Sequence, residues 1–247
     1  MAKRSYLTLV AADATSADAD REDGVARTLI ERAYVHLRDD IIEGTLAPGE
    51  KLRVEHLKAR YGVGAGTLRE AITRLVSDAL VVAEGQRGFR VAAMTIADLL
   101  DLTELRLHIE IDALRRSIRA GDDAWRARLQ RAFDELSDVE QPIQPKDRKR
   151  WEASNTRFHE VLVSGRPSPW TLHTLRLLAR QGERYRRCSI GLPNSGRDVH
   201  VEHRELFELA MQGNETRAAL ALEAHIRATP DQILRALATG TVRFMSG

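Results

Sequence analysis

The chain has 247 residues, 43% hydrophobic and 30% charged, which is enough for two domains with separate cores and excludes a fibrous or disordered protein. A formal net charge of +2 provides no bulk attraction to nucleic acid, so any such role has to come from a local patch. One cysteine, Cys188, excludes an internal disulfide framework and a thiolate-rich zinc site. No apolar run approaches the roughly 20 residues that span a bilayer, and the run after Lys3-Arg4 is too short for a signal peptide, so a cytoplasmic protein is expected.

Residues 1–25 are small and acidic with nothing to form a core, and read as a mobile leader. A winged helix-turn-helix is expected over 26–93. Tyr34, Leu37 and Ile41 stripe a first helix that ends at Gly44, and a short helix from about Glu55 stops at Gly62. Leu68, Ala71, Ile72, Leu75 and Ala79 recur at helical spacing in a third, with its cap at Gly64 or in a Thr67–Glu70 capping box. Residues 80–83 and 89–92 flank Glu84–Gly88 as a hairpin with a basic tip.

From Thr95 onward the pattern is helical. Helices are expected over 96–118, 122–136, one centred on Phe158, 169–188, 198–212 and 215–227, with a last one after Pro230. The fold class is therefore mainly α: a winged helix-turn-helix followed by an antiparallel all-α bundle over 94–240, then a tail at 241–247.

A short helix, a tight turn and a helix with a polar face is the geometry that lays one helix in the major groove of double-stranded DNA. Ala65, Gly66, Thr67 and Arg69 stand at its start and Thr73 one turn on; arginine reading guanine is worth about 1–3 kcal/mol of discrimination. Arg87, Gly88 and Arg90 on the hairpin are placed to reach the adjacent backbone or minor groove, or are solvated surface charges. The run Gly62-Val63-Gly64-Ala65-Gly66 is not a dinucleotide loop, because its third glycine would fall at Thr67 and no strand precedes it.

With Asp40–Gly44, Leu46-Ala47-Pro48-Gly49, Leu68-Arg69-Glu70-Ala71-Ile72 and Arg87-Gly88-Phe89-Arg90-Val91 in this order, Tyr34–Ala92 resembles the winged helix of the GntR family of bacterial regulators. The resemblance implies a transcription regulator, commonly a repressor, binding a pseudo-palindromic operator as a homodimer. Ala65 stands where the family usually has an arginine, so the operator is not transferable from relatives.

His159, His203 and His225 fall on three helices, and Asn155 shares a helical face with His159. Three imidazoles and an oxygen donor converging in a bundle can hold a divalent metal with an open position, although a lone histidine in a helix is more often a surface or hydrogen-bonded core residue. Asn155–His159, Glu202–Leu206, Gly213-Asn214-Glu215 and His225-Ile226 resemble the effector domain of the FadR branch, called FCD. In metal-binding members of that branch the ligands are these three histidines and an aspartate where this chain has Asn155. The resemblance implies zinc, with nickel or manganese possible by the same donors, and a small organic acid as effector. Arg106 matches a cavity-lining position in similar proteins, or forms an ion pair with Glu110; Arg184 and Tyr185 are further effector candidates in a run that resembles the carbon-starvation-induced regulators. Alternatives are a purely structural or directly sensed metal, and a metal-dependent hydrolase or lyase. Against an enzyme, there is no H-E-x-x-H, since His159-Glu160 is followed by Val163, and no G-x-S-x-G.

Overall fold

The computed structural model describes residues 28–241 except 142, 191 and 193–196; the expected leader and almost all of the expected tail lie outside the described residues. Helix α1 (Leu29–Ile42) begins where the Thr28 hydroxyl accepts the Glu31 amide. Strand β1 (Lys51–Leu52) leads into α2 (Val54–Tyr61), which Gly62 closes at φ +63°, a left-handed conformation that glycine adopts without steric cost. Helix α3 (Ala65–Ser77) has Gly64 as its cap residue, with no side-chain cap, so Thr67 and Glu70 lie inside the helix and form no capping box. Strands β2 (Val81–Ala83) and β3 (Phe89–Val91) complete an antiparallel sheet in the order β1-β3-β2, with Arg90 opposite both Lys51 and Val82. The two-residue β1 is too short to show a period of two and was not anticipated. Leu37, Leu68, Ile72, Leu75 and Leu80 are wholly buried beneath it.

Among the described residues six α-helices follow: α4 (Ile96–Ala120), α5 (Asp123–Glu140), α6 (Arg148–Leu162), α7 (Pro169–Ile190), α8 (Val199–Met211) and α9 (Glu215–Ala238). Thr95, Asp122, Asp198 and Asn214 cap four of them by accepting the amide three residues on. Trp125, Leu129, Leu136, Phe158, Leu162 and Leu206 form the fully buried centre. The expected break at Pro230 does not occur: α9 runs through it. An internal proline costs a helix about 3 kcal/mol, but Thr229, Pro230 and Ile233 are all buried as α9 lies along α4, and that packing offsets the loss.

The two cores do not merge. Where the chain passes from β3 into α4, Met94, Leu99, Tyr185 and Ile233 make a small separate cluster, and the rest of the junction is polar. Arg38 pairs with Glu183, Lys149 with Asp39 at 2.6 Å, and Arg187 with Glu43 at 3.8 Å. Asp78, at the end of α3, receives Arg180, the Tyr34 hydroxyl at 2.5 Å and, on its carbonyl, Gln181 at 2.7 Å. A cleft of about 450 Å³ separates α1 from α6 and α7.

Candidate nucleic-acid interface and metal-binding cavity

On α3, Leu68, Ala71, Ile72 and Leu75 face the core, which turns Gly66, Arg69 and Thr73 outward and leaves Ala65 and Thr67 half-buried. The uncapped first turn presents free backbone amides there, the Thr73 hydroxyl donates to the Arg69 backbone carbonyl at 2.8 Å, and the Arg69 side chain is exposed. Arg87 is exposed at the wing tip, and Gly88 has φ +94°, which lets the chain reverse into β3. Arg90 is differently engaged. Its guanidinium donates to Glu84 at 2.9 Å and to the Gly49 carbonyl at 2.6 Å, so it ties the wing to the turn before β1 instead of reaching outward.

In the helical domain, α6, α8 and α9 bring His159, His203 and His225 together. One ligand atom from each lies within 4.8 Å of the others, and the Nε2 atoms of His159 and His203 are 3.3 Å apart. Carboxylates set two of the rings: His203 Nδ1 meets Glu140 at 2.9 Å and His225 Nδ1 meets Glu202 at 2.7 Å. A proton held on each Nδ1 leaves Nε2 with its lone pair free. Glu140 is fixed in turn by the Trp151 indole N–H at 2.9 Å, and Glu202 by Arg197 at 2.7 Å. Burial, then the neighbouring histidines and arginines, pushes the pKa values of His159 and His225 well below the usual imidazole range, so both are neutral near pH 7.

This donor set fits a divalent metal. Two nitrogens each about 2.0–2.1 Å from a tetrahedral zinc stand about 3.3 Å apart, the separation between His159 and His203. Asn155, 4% exposed and without a hydrogen bond among the described residues, lines the same space as His159. Its amide oxygen is a neutral donor, so the site carries one positive charge more than it would with aspartate.

Two adjoining cavities of about 40 and 30 Å³ open beside the histidines, room for a few water-sized groups. Arg106 lines both and donates to Glu110 at 2.7 Å, so the ion pair and the cavity position read from the sequence coexist. Arg184 and Tyr185 are elsewhere: Arg184 donates to the Ala92 carbonyl at 2.6 Å, and the Tyr185 hydroxyl donates to Asp98 at 2.6 Å. Both secure the junction between the domains. Within the same run it is Arg186 that lines both cavities, together with Arg106. Leu172, Leu175, Ala179, Gly182, Arg186 and Ile190 form one helical stripe on α7, and that periodicity was available in the sequence. Glu140, which orients His203, carried no such signal.

Residues 29–91 match the profile described as "Bacterial regulatory proteins, gntR family", and residues 101–228 match the FCD domain. The HTH-type transcriptional regulator BphR of Paraburkholderia xenovorans is 39% identical over 208 residues, 82% of this chain and 84% of its own. The HTH-type transcriptional repressor GlaR of Escherichia coli is 32% identical over 212 residues, 84% of this chain and 96% of its own. A putative GntR regulator from Rhodococcus sp. RHA1 has the same fold, with a TM-score of 0.67 at 24% identity over 85% of this chain and 99% of its own. Among the described residues no helix is long and apolar enough to cross a membrane. With a winged helix whose α3 is free to meet DNA, joined to six helices enclosing a histidine cavity, the chain belongs to the GntR family of bacterial transcription regulators, with an FCD domain at its C-terminal side.

Proposed function

We propose that this chain is a cytoplasmic repressor that holds a pseudo-palindromic operator as a homodimer and releases it when a small carboxylic or hydroxy acid binds at a divalent metal in the helical domain. The observation that carries this reading is the meeting of His159, His203 and His225, two of them oriented by carboxylates, beside a cavity lined by Arg106 and Arg186. Zinc suits three neutral imidazoles and an amide oxygen, and nickel or manganese can use the same donors. Bound there, the metal supplies a Lewis-acid site for an anion; Arg106 and Arg186 add charge-assisted hydrogen bonds to the same carboxylate and select against neutral compounds.

On the DNA, Arg69 and the amides at the start of α3 meet the major groove, with Arg87 on the adjacent backbone. Dimerisation sets the two α3 helices about one turn of DNA apart. GlaR, 32% identical, is named a repressor, which favours repression over activation here.

The test is elemental analysis of wild type and His203→Ala, followed by calorimetry of the metal-loaded protein with short dicarboxylic and hydroxy acids. About one metal per chain, lost in the variant, with heat from at least one acid, is the expected result. No metal in wild type overturns the metal reading, and metal without any acid response leaves a structural or directly sensed ion.

A further inference from the structure

Helix α7 has two working faces, and the residues between them are paired in series. Toward the histidine cavity it presents Gly182 and Arg186; toward the winged domain it presents Arg180, Gln181, Glu183, Arg184 and Arg187, which grip α1, the end of α3 and the residue after β3. Gly182 permits an unusual crowding. A Cβ there would stand 3.3 Å from Nη1 of both Arg106 and Arg186, so both guanidiniums pack over the bare backbone. Among the described residues each has one carboxylate in ion-pair contact, Arg106 with Glu110 and Arg186 with Glu152, and Arg186 also feels the charges of Glu183 and Glu110.

Glu152 differs from Glu110 in where it stands. It lies on α6 and lines the cleft between the domains, mostly buried, while its partner Arg186 lines the cavity. One turn back on α6 are Arg148, whose buried Nε has no hydrogen-bond partner among the described residues, and Lys149, which holds Asp39 of α1. Glu152 therefore has alternative cations within reach should Arg186 be taken from it.

Resting on the acid-sensing reading above, we infer that Glu152 is the coupling residue: an anion in the cavity competes with it for Arg186, and the freed carboxylate turns to Arg148 and Lys149, loosening Lys149 from Asp39 and the winged domain from the bundle. Glu152 is a positioning residue in this scheme and touches neither metal nor acid. The acid does not have to push a helix; it exchanges one ion-pair partner for another, and the differential affinity that any switch requires comes from that competition.

Competition gives a result that a merely structural role would not. Removing the carboxylate in Glu152→Gln frees Arg186, so succinate titrated into the zinc-loaded variant should bind about tenfold tighter than to wild type, the scale of one charge-assisted hydrogen bond no longer opposed. In wild type, saturating succinate should quicken hydrogen exchange at amides 39–43 of α1, and in the Gln variant, with no carboxylate left to draw Lys149 from Asp39, it should not. Glu152→Asp, with its charge retained but drawn back, should fall between the two. Glu135→Gln, the same loss of charge at an exposed site on α5 paired with Arg157, should move neither quantity. Equal or weaker succinate binding by Glu152→Gln overturns the competition, and exchange in α1 that succinate leaves unchanged in wild type, or quickens equally in the variant, overturns the coupling. If succinate binds neither protein, the acid-sensing reading fails for succinate and the coupling inference, which rests on it, falls with it.

Discussion

Among the described residues the winged domain buries one polar side chain, Asp78 at its junction, whereas the helical domain encloses Glu110, Glu140, Asn155, His200, His203 and several more. The first core is held by apolar burial, which needs nothing from outside the chain. The second contains groups whose burial costs free energy unless each is partnered, and their most concentrated set is the histidine cluster with its supporting carboxylates. Stability in the winged domain is thus unconditional, and in the helical domain it is tied to protonation and to what occupies the cavity.

The contrast is tested most strongly in the apolar core. Leu75→Ala should lower the unfolding free energy of the winged domain by about 2–5 kcal/mol while leaving metal content and the helical domain's transition unchanged. If both domains melt together earlier in calorimetry, the cores are not separate. In the helical domain His203→Ala should cost about 2–4 kcal/mol, because Glu140 is left buried with the Trp151 N–H as its hydrogen bond and the His200 ring, 3.4 Å away, as its other close partner. A thermal scan showing no destabilisation would mean that the polar core is not strained by losing a partner.

On the DNA face, Arg69→Ala should weaken binding to a duplex selected from a random pool by about 1–3 kcal/mol without moving either melting transition, read by fluorescence anisotropy. Arg90→Ala should loosen the wing instead, since its side chain is spent on Glu84 and Gly49. The smallest effect concerns pH. Burial raises the Glu183 carboxyl above its ordinary value of 4.5, against Arg38 and Arg186, which lower it, and with Glu152 and Asp39, which raise it. The folded protein then binds this proton at a higher pH than the unfolded chain, so acidification through that window adds stability at this residue while cancelling the charge that Arg38 holds. Protection of the α1 amides, measured against the intrinsic exchange rate at each pH, should therefore rise on mild acidification, and Glu183→Gln should remove that dependence.

Much of this architecture was legible in the sequence where periodicity and chain reversal coincide. The stripe Leu68-Ala71-Ile72-Leu75 and the left-handed Gly62 define α3 and the turn before it from local chemistry alone. The convergence of His159, His203 and His225 was not local: they lie on α6, α8 and α9, and family resemblance rather than spacing joined them. Pro230 misled because the local cost of proline is visible in sequence and the compensating contact with α4 is not. Arg184 and Tyr185 were chosen over Arg186 within one run of charges; the stripe through Leu175, Ala179 and Gly182 would have reversed that choice.

The junction between the domains has a consequence of its own. Because it is held largely by pairs such as Arg38–Glu183, Lys149–Asp39 and Arg187–Glu43, dissolved electrolyte weakens it over a Debye length of about 8 Å at physiological ionic strength. Electrolyte also weakens every phosphate contact, through counterion release. Ionic strength therefore acts twice on this regulator, at the DNA and at the hinge, so a cell accumulating salt loosens the same joint that the effector is proposed to loosen.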